Sequence, residues 1–227
     1  MSQPWSRDEF EAKVREVLDA RYHHSHPFHQ RMHRGELTGE ELQDWVANRF
    51  CYQQGVVVKD AILLARLPSR RERRVWVGRL IDQDGSGADE GGLEQWLRLA
   101  EAVGLSREET EGGSRVVPGV RFAVDAYKHF CAERTWQEGV AASLTQLFVP
   151  DLMRTRMEAL ARYQGIAAED MAYFARHAGV AATESDQAME LLLAATASRE
   201  DQERAIDAVA FKCDVLTSLL DAIDAIR

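Results

Sequence analysis

The chain has 227 residues, 45% hydrophobic and 29% charged, the balance of an ordinary globular protein long enough to bury a core. Its net charge of −9 argues against a nucleic-acid partner, whose phosphates need a basic face. No apolar run approaches the roughly 20 residues that cross a bilayer, the opening MSQPWSRDEF lacks a signal-peptide core, and Cys51, Cys131 and Cys213 are too scattered for a disulfide framework, so no membrane contact and a cytoplasmic setting are expected.

Helix signals run from end to end. Ser6 can cap a helix that carries Phe10, Val14 and Leu18 on one side, expected over 6–22. Thr38-Gly-Glu-Glu41 is a capping box opening a long helix, 39–66, that Pro68 ends. Helices over 69–83 and 90–104 follow, separated by the glycine-rich loop DGSGADEGG, with a second loop over 110–119. Pro118 and Pro150 suit first helical turns, Thr135-Trp-Gln-Glu138 is another capping box, and Gly165 and Gly179 suit C-terminal caps. The remaining helices are expected over 118–134, 136–148, 150–163, 168–178, 184–197 and 199–226. With no repeat or linker to divide it, the chain is expected to form a single all-α helical bundle spanning 1–227.

Some polar residues fall where a bundle keeps its core. Arg49, Gln53 and Asp60 share the stripe that carries Leu42, Trp45, Val46, Val56 and Leu63, with Tyr52 adjoining. A buried arginine or glutamine must find partners or cost several kcal/mol, roughly. A structural Arg49–Asp60 ion pair with Gln53 bonded nearby is one reading, and a polar ligand site is the other. Lys212 points among Val209, Leu216, Leu219 and Ile223; its ammonium either snorkels to the surface or faces an anionic ligand. Tyr127 and Arg121 are weaker candidates of the same kind.

Five of the seven histidines, His23, His24, His26, His29 and His33, crowd one short segment. His29 and His33 have metal-gripping spacing but no carboxylate to complete a set, so most read as solvated loop residues. No histidine follows a glutamate by three residues, so the di-iron signature of helical bundles is missing. Asp82-Gln-Asp84-Gly-Ser86-Gly87 imitates a calcium loop, but Leu93 stands where the closing glutamate belongs, and its glycines follow no strand as a dinucleotide fingerprint would. No metal site is expected, and a helix-to-helix turn accounts for the segment.

Taken together, YHHSHPFH (22–29), DWVANRFCYQQ (44–54), IDQDG (81–85), EGGLEQWLRLAEAVGL (90–105), PGVRFAVDAY (118–127), WQE (136–138), ASLTQLF (142–148) and FKCDVLTSLLDA (211–222) resemble, in order, the pyrroloquinoline quinone synthase (PqqC) family. The resemblance implies a haem-oxygenase-like helical bundle, a homodimer, and an oxidase needing no metal or flavin cofactor. The implied reaction is ring closure and eight-electron oxidation, by O2 as co-substrate, of a small-molecule quinone precursor bearing an amino acid, yielding the quinone and hydrogen peroxide. Other proteins of that pathway are implied partners. By position, Tyr22, His23, Arg49, Tyr52, Gln53, Arg79, Tyr127, Thr145 and Arg156 match the substrate pocket. Tyr173, Lys212, His177 and Gln83 match the region where oxygen is reduced. The chain departs from the family at Gln83, where a histidine is usual, and at Gln146, Met153 and His177, where a glutamate, a histidine and an arginine are usual. A one-residue slip would make Arg176, and not His177, the counterpart of the family's arginine. The departures leave room for a related oxidase with another quinone or amino-acid-derived substrate, or for a carrier that binds the finished cofactor.

Overall fold

Five helices begin at reciprocal capping boxes, in which a Ser or Thr hydroxyl accepts the N–H three residues on and the acidic residue there accepts the cap's own N–H. These are α1 (Arg7–Arg21), α3 (Gly39–Arg66), α6 (Arg107–Gly112), α8 (Trp136–Ala141) and α11 (Arg199–Asp224). The others are α2 (Pro27–His33), α4 (Arg70–Asp84), α5 (Gly91–Ala102), α7 (Pro118–Glu133), α9 (Val149–Gln164) and α10 (Ala172–Ala195), with 3-10 turns at His23–Ser25 and Ala168–Met171. The computed structural model describes residues 3–145 and 149–226, and among them there is no strand, only a bridge between Ser86 and Asp89. The all-α expectation is met. None of the described helices is long and apolar enough to cross a membrane.

The long helices form the body. α3 lies along α7, α7 along α11, and α1 covers α11, while α9 and α10 pair and α4 and α5 pack beside α3. Gly55 lets α3 approach α7 closely, since a Cβ there would stand 2.4 Å from Val124 Cγ1. Trp45, Trp96 and Phe174 meet in one buried aromatic cluster, with ring centroids 5.6 to 6.4 Å apart, and the Trp96 indole N–H donates to the Val46 carbonyl at 3.0 Å. Burying such side chains stabilises by about 1.5–3 kcal/mol each.

Four expectations need correction. The segments 168–178 and 184–197 belong largely to one continuous helix, α10, and Gly179 sits in its exposed interior, not at a cap. A mid-helix glycine costs only about 1 kcal/mol against alanine, which packing of α10 on α9 offsets. The helix expected over 136–148 ends at Ala141; Gln146 and its two successors lie outside the described residues. α6, capped by Ser106, spans Arg107–Gly112, where no helix is expected and a loop is placed from 110. The histidine-rich segment is not a solvated loop: Pro27 opens α2, the His26 ring caps it by accepting the Phe28 N–H, and His23, His26 and His29 are buried.

Candidate active site

The inward faces of these helices surround one polar cavity, with about 760 Å³ of non-atom space counting its opening to solvent. α3 contributes Arg49, Tyr52, Gln53, Val56, Lys59 and Asp60, a stripe at helical spacing. Arg79 and Gln83 come from α4, Tyr127 from α7, Met153 and Arg156 from α9, and Tyr173, His177 and Glu184 from α10. Lys212 enters from α11, Tyr22 from the C-cap of α1, His23 from the 3-10 turn that follows, and Ser143 and Thr145 from the segment after α8. The structure therefore brings to one cavity all thirteen positions matched through the family resemblance. Arg121 lies outside it, exposed and donating to the Gly113 carbonyl.

Two pairings decide how the cavity is charged. Lys59 Nζ sits 2.7 Å from Asp60 Oδ1 and donates to Ser143 Oγ at 2.9 Å. Arg79 donates to the Glu184 backbone carbonyl at 2.6 Å, lies 3.3 Å from its carboxylate, and stacks on Trp76. The Arg49–Asp60 pair is therefore not formed. Arg49 instead lays its guanidinium 4.3 Å from the Tyr52 ring centroid, and its Nε has no hydrogen-bond partner. Lys212 does not snorkel: it is 2% exposed, donates to the Tyr52 hydroxyl in a short contact, and sits 3.5 Å from the Tyr127 ring centroid. Arg156 donates to His29 Nε2 at 3.1 Å and lies over Trp45 and Phe174. Among the described residues, no carboxylate comes within ion-pair distance of Arg49, Arg156 or Lys212.

Burial and mutual repulsion set the protonation of the lining. Burial first, and the Arg49 cation second, push Arg156 down to about 9, so it stays charged at neutral pH. Burial, then Lys59 and Arg49, hold the Lys212 amine well below the usual lysine range. Burial and Arg49 keep His23 well below the usual histidine range, and burial, then Arg49, Arg79 and Arg156, push His177 down to about 4. The hydroxyls of Tyr22, Tyr52, Tyr127 and Tyr173 are held above the ordinary phenol range, chiefly by burial. At neutral pH the cavity thus offers fixed guanidinium charge, neutral imidazoles and neutral hydroxyls.

The corner around Tyr173 carries two of the departures noted above, His177 and Gln83. His177 stacks on Tyr173 with centroids 5.5 Å apart, and its Nδ1 has no partner. Gln83 donates to Asp82 Oδ2 at 3.2 Å, while its own Oε1 is buried without a partner. Arg176 points away, bonding Asp82 at 2.8 Å and both oxygens of Asp89 at 2.8 Å, so His177 and not Arg176 faces the cavity. Lys59, Ser143 and Glu184 were not singled out from sequence. Lys59 continues the Val56–Leu63 spacing, and Glu184 follows His177 by seven, a signal legible only once α10 is read as unbroken. Among the described residues, no group of three or more His, Cys, Asp or Glu side chains could hold a metal ion.

Residues 11–222 match the TENA/THI-4/PQQC family. The chain belongs to that family. It is 45% identical over 219 residues to a pyrroloquinoline-quinone synthase of Pseudomonas aeruginosa, covering 96% of this chain and 87% of that protein. A synthase of the same name from Cronobacter sakazakii is 45% identical over 217 residues, covering 95% and 86%. A solved haem-oxygenase-like domain from Shewanella denitrificans superposes with a TM-score of 0.81 at 15% identity, covering 97% of this chain and 93% of that one. A TenA homologue from Pseudomonas syringae superposes at 0.75 with 14% identity, covering 100% and 99%. These likenesses establish the haem-oxygenase-like fold.

Proposed function

We propose that the chain is an oxidase of the pyrroloquinoline-quinone synthase type, closing and oxidising a polycarboxylate quinone precursor with O2 and releasing hydrogen peroxide. The observation that carries this reading is the pair of cavity guanidiniums, Arg49 and Arg156, that no described carboxylate neutralises, with the Lys212 amine in the same cavity. Uncompensated buried charge is costly unless a ligand completes it, and several carboxylates on one planar molecule would do so. The near-full-length likeness to proteins named pyrroloquinoline-quinone synthase supports the same choice.

In this reading Arg49 and Arg156 grip carboxylates, Tyr52 and Tyr127 flank the ring, and Arg79, Gln53, Thr145, Tyr22 and His23 complete the polar lining. Lys212, amine-like through burial, accepts protons as the substrate is oxidised. Tyr173, His177 and Gln83 meet dioxygen, with neutral donors aimed at the anion that forms on reduction. The substrate is itself redox-active, so neither metal nor flavin is required. A cytoplasmic homodimer, with other proteins of the same pathway as partners, belongs to the same proposal. A carrier that holds the finished quinone is the second reading, favoured by a corner in which neither Gln83 nor neutral His177 supplies a proton readily.

Anaerobic mixing with the quinone precursor, followed by admission of O2, tests both. Oxygen uptake with stoichiometric peroxide and the product spectrum is expected. Tight product binding without oxygen uptake would select the carrier, and no binding of either molecule would sink both.

A further inference from the structure

Lys59 is buried in the cavity wall yet stands apart from the residues described above as meeting the substrate. Its ammonium is fixed from two sides, by Asp60 on its own helix and by Ser143 from the segment after α8. Two aromatic rings complete the enclosure, Trp76 at 5.4 Å and Tyr127 at 5.5 Å from Nζ. Lys212 Nζ contacts that same Tyr127 ring at 3.5 Å, so the two distances place the two side-chain nitrogens within about 9 Å of each other. Little water can screen them there, because Lys59 and Lys212 are each 2% exposed and Tyr127 is 3% exposed. A fixed charge at that range in a poorly solvated site acts strongly on a neighbouring amine.

The other groups around Lys212 do not take over this role. From α3 it meets the neutral Tyr52 hydroxyl and, farther off, the Arg49 cation; from α7 it meets Tyr127 and the buried Cys131 thiol. His23 faces it from the 3-10 turn as a neutral ring. Cys213 neighbours it on α11, and the α1 residue Arg21 is tied to Asp214 at the surface. The α8 residue Glu138 caps its own helix. Among the described residues acting on the amine, Lys59 is the fully buried cation locked in place.

We infer that Lys59 is a positioning residue whose locked charge, delivered across the Tyr127 ring, keeps the Lys212 amine free to accept a proton, with Asp60 moderating that charge. The functional half of the inference rests on the reading of Lys212 as the proton acceptor, but the electrostatic half does not. The chain has four lysines, Lys13, Lys59, Lys128 and Lys212, so lysine Cε labelling and NMR can follow Lys212 through a pH titration of the substrate-free protein. Assignment comes from Lys212→Met.

The Lys212 midpoint is expected below the ordinary lysine value of about 10.4. Lys59→Gln, which can still donate to Asp60 and Ser143, should raise the midpoint by about one pH unit, the size expected for a unit charge at that range. Lys59→Met should act likewise, Lys59→Arg should leave it nearly unchanged, and Asp60→Asn should lower it. The opposite signs are decisive. A merely structural pair, once broken by either change, would admit water and raise the midpoint in both. An unmoved midpoint in folded Lys59→Gln, or a rise in both Lys59→Gln and Asp60→Asn, overturns the inference. The pH profile of oxygen consumption should follow the same displacements. If the amine titrates as expected while turnover ignores it, the electrostatic coupling stands and the role given to Lys212 in turnover falls.

Discussion

Replacing Arg49 by methionine should separate what the cavity does for function from what it costs the fold. Arg49 makes no ion pair with any described residue, and its charge is one of the causes that push Arg156 down to about 9. Burial is the larger cause and repulsion from Arg49 the second, so removing that like charge should relieve strain on the order of 1 kcal/mol. Methionine keeps much of the packing against the Tyr52 ring but forfeits a cation–π contact worth about 0.5–1 kcal/mol. The substrate-free variant should therefore be as stable as the parent or more so, by about 1 kcal/mol, seen as about 2–4 °C in Tm. Loss of one charge-assisted contact should meanwhile weaken binding of the anionic precursor about ten- to a hundredfold. Thermal unfolding without ligand and anaerobic equilibrium titration measure the two effects. A variant that loses stability and binds normally would refute the reasoning, because Arg49 would then serve the fold.

Three further outcomes are expected. Gln83→His places an imidazole beside the Asp82 carboxylate, 3.2 Å from the present amide nitrogen, and should speed the oxygen-dependent step by about 10²–10⁴-fold, with a pH dependence near 6.5. If His177 already supplies the proton, Gln83→His will do little and His177→Ala will abolish oxidation; an unchanged rate in both variants removes the proton donor from this corner. His177 titrates at about 4 in the folded chain against 6.5 when free, so the unfolded chain binds the proton first. Stability should be full above pH 6.5 and fall as the pH drops toward 4, by about 2 kcal/mol from this residue after discounting its partial exposure. Urea midpoints between pH 7.5 and 4 should show a shallower loss in His177→Gln, and identical slopes would contradict the assignment. Finally, elemental analysis and absorption spectra of active protein should find no stoichiometric iron, copper or flavin, and one bound equivalent required for oxygen uptake would end the cofactorless reading.

Sequence by itself settled the local decisions. Capping boxes at Thr38 and Thr135, Pro118 at a first turn and Pro68 after a last one define helix ends through backbone hydrogen bonds that span three or four residues. Those signals are local, so they are legible without a fold, and the all-α class follows from them. The stripe of Arg49, Gln53 and Asp60 on an apolar face, and Lys212 among aliphatics, likewise mark a polar interior. Tertiary structure alone decided who pairs with whom. Asp60 turns to Lys59 and not Arg49, Glu184 takes Arg79, and His29, legible only as a loop residue, becomes the acceptor for Arg156. Helical spacing gives the direction of a side chain, but the partner it meets comes from a helix far along the chain, such as α9 against the residues before α3. Which cations stay uncompensated, and so what the cavity can hold, is a sum over α3, α4, α9, α10 and α11 that no single segment contains.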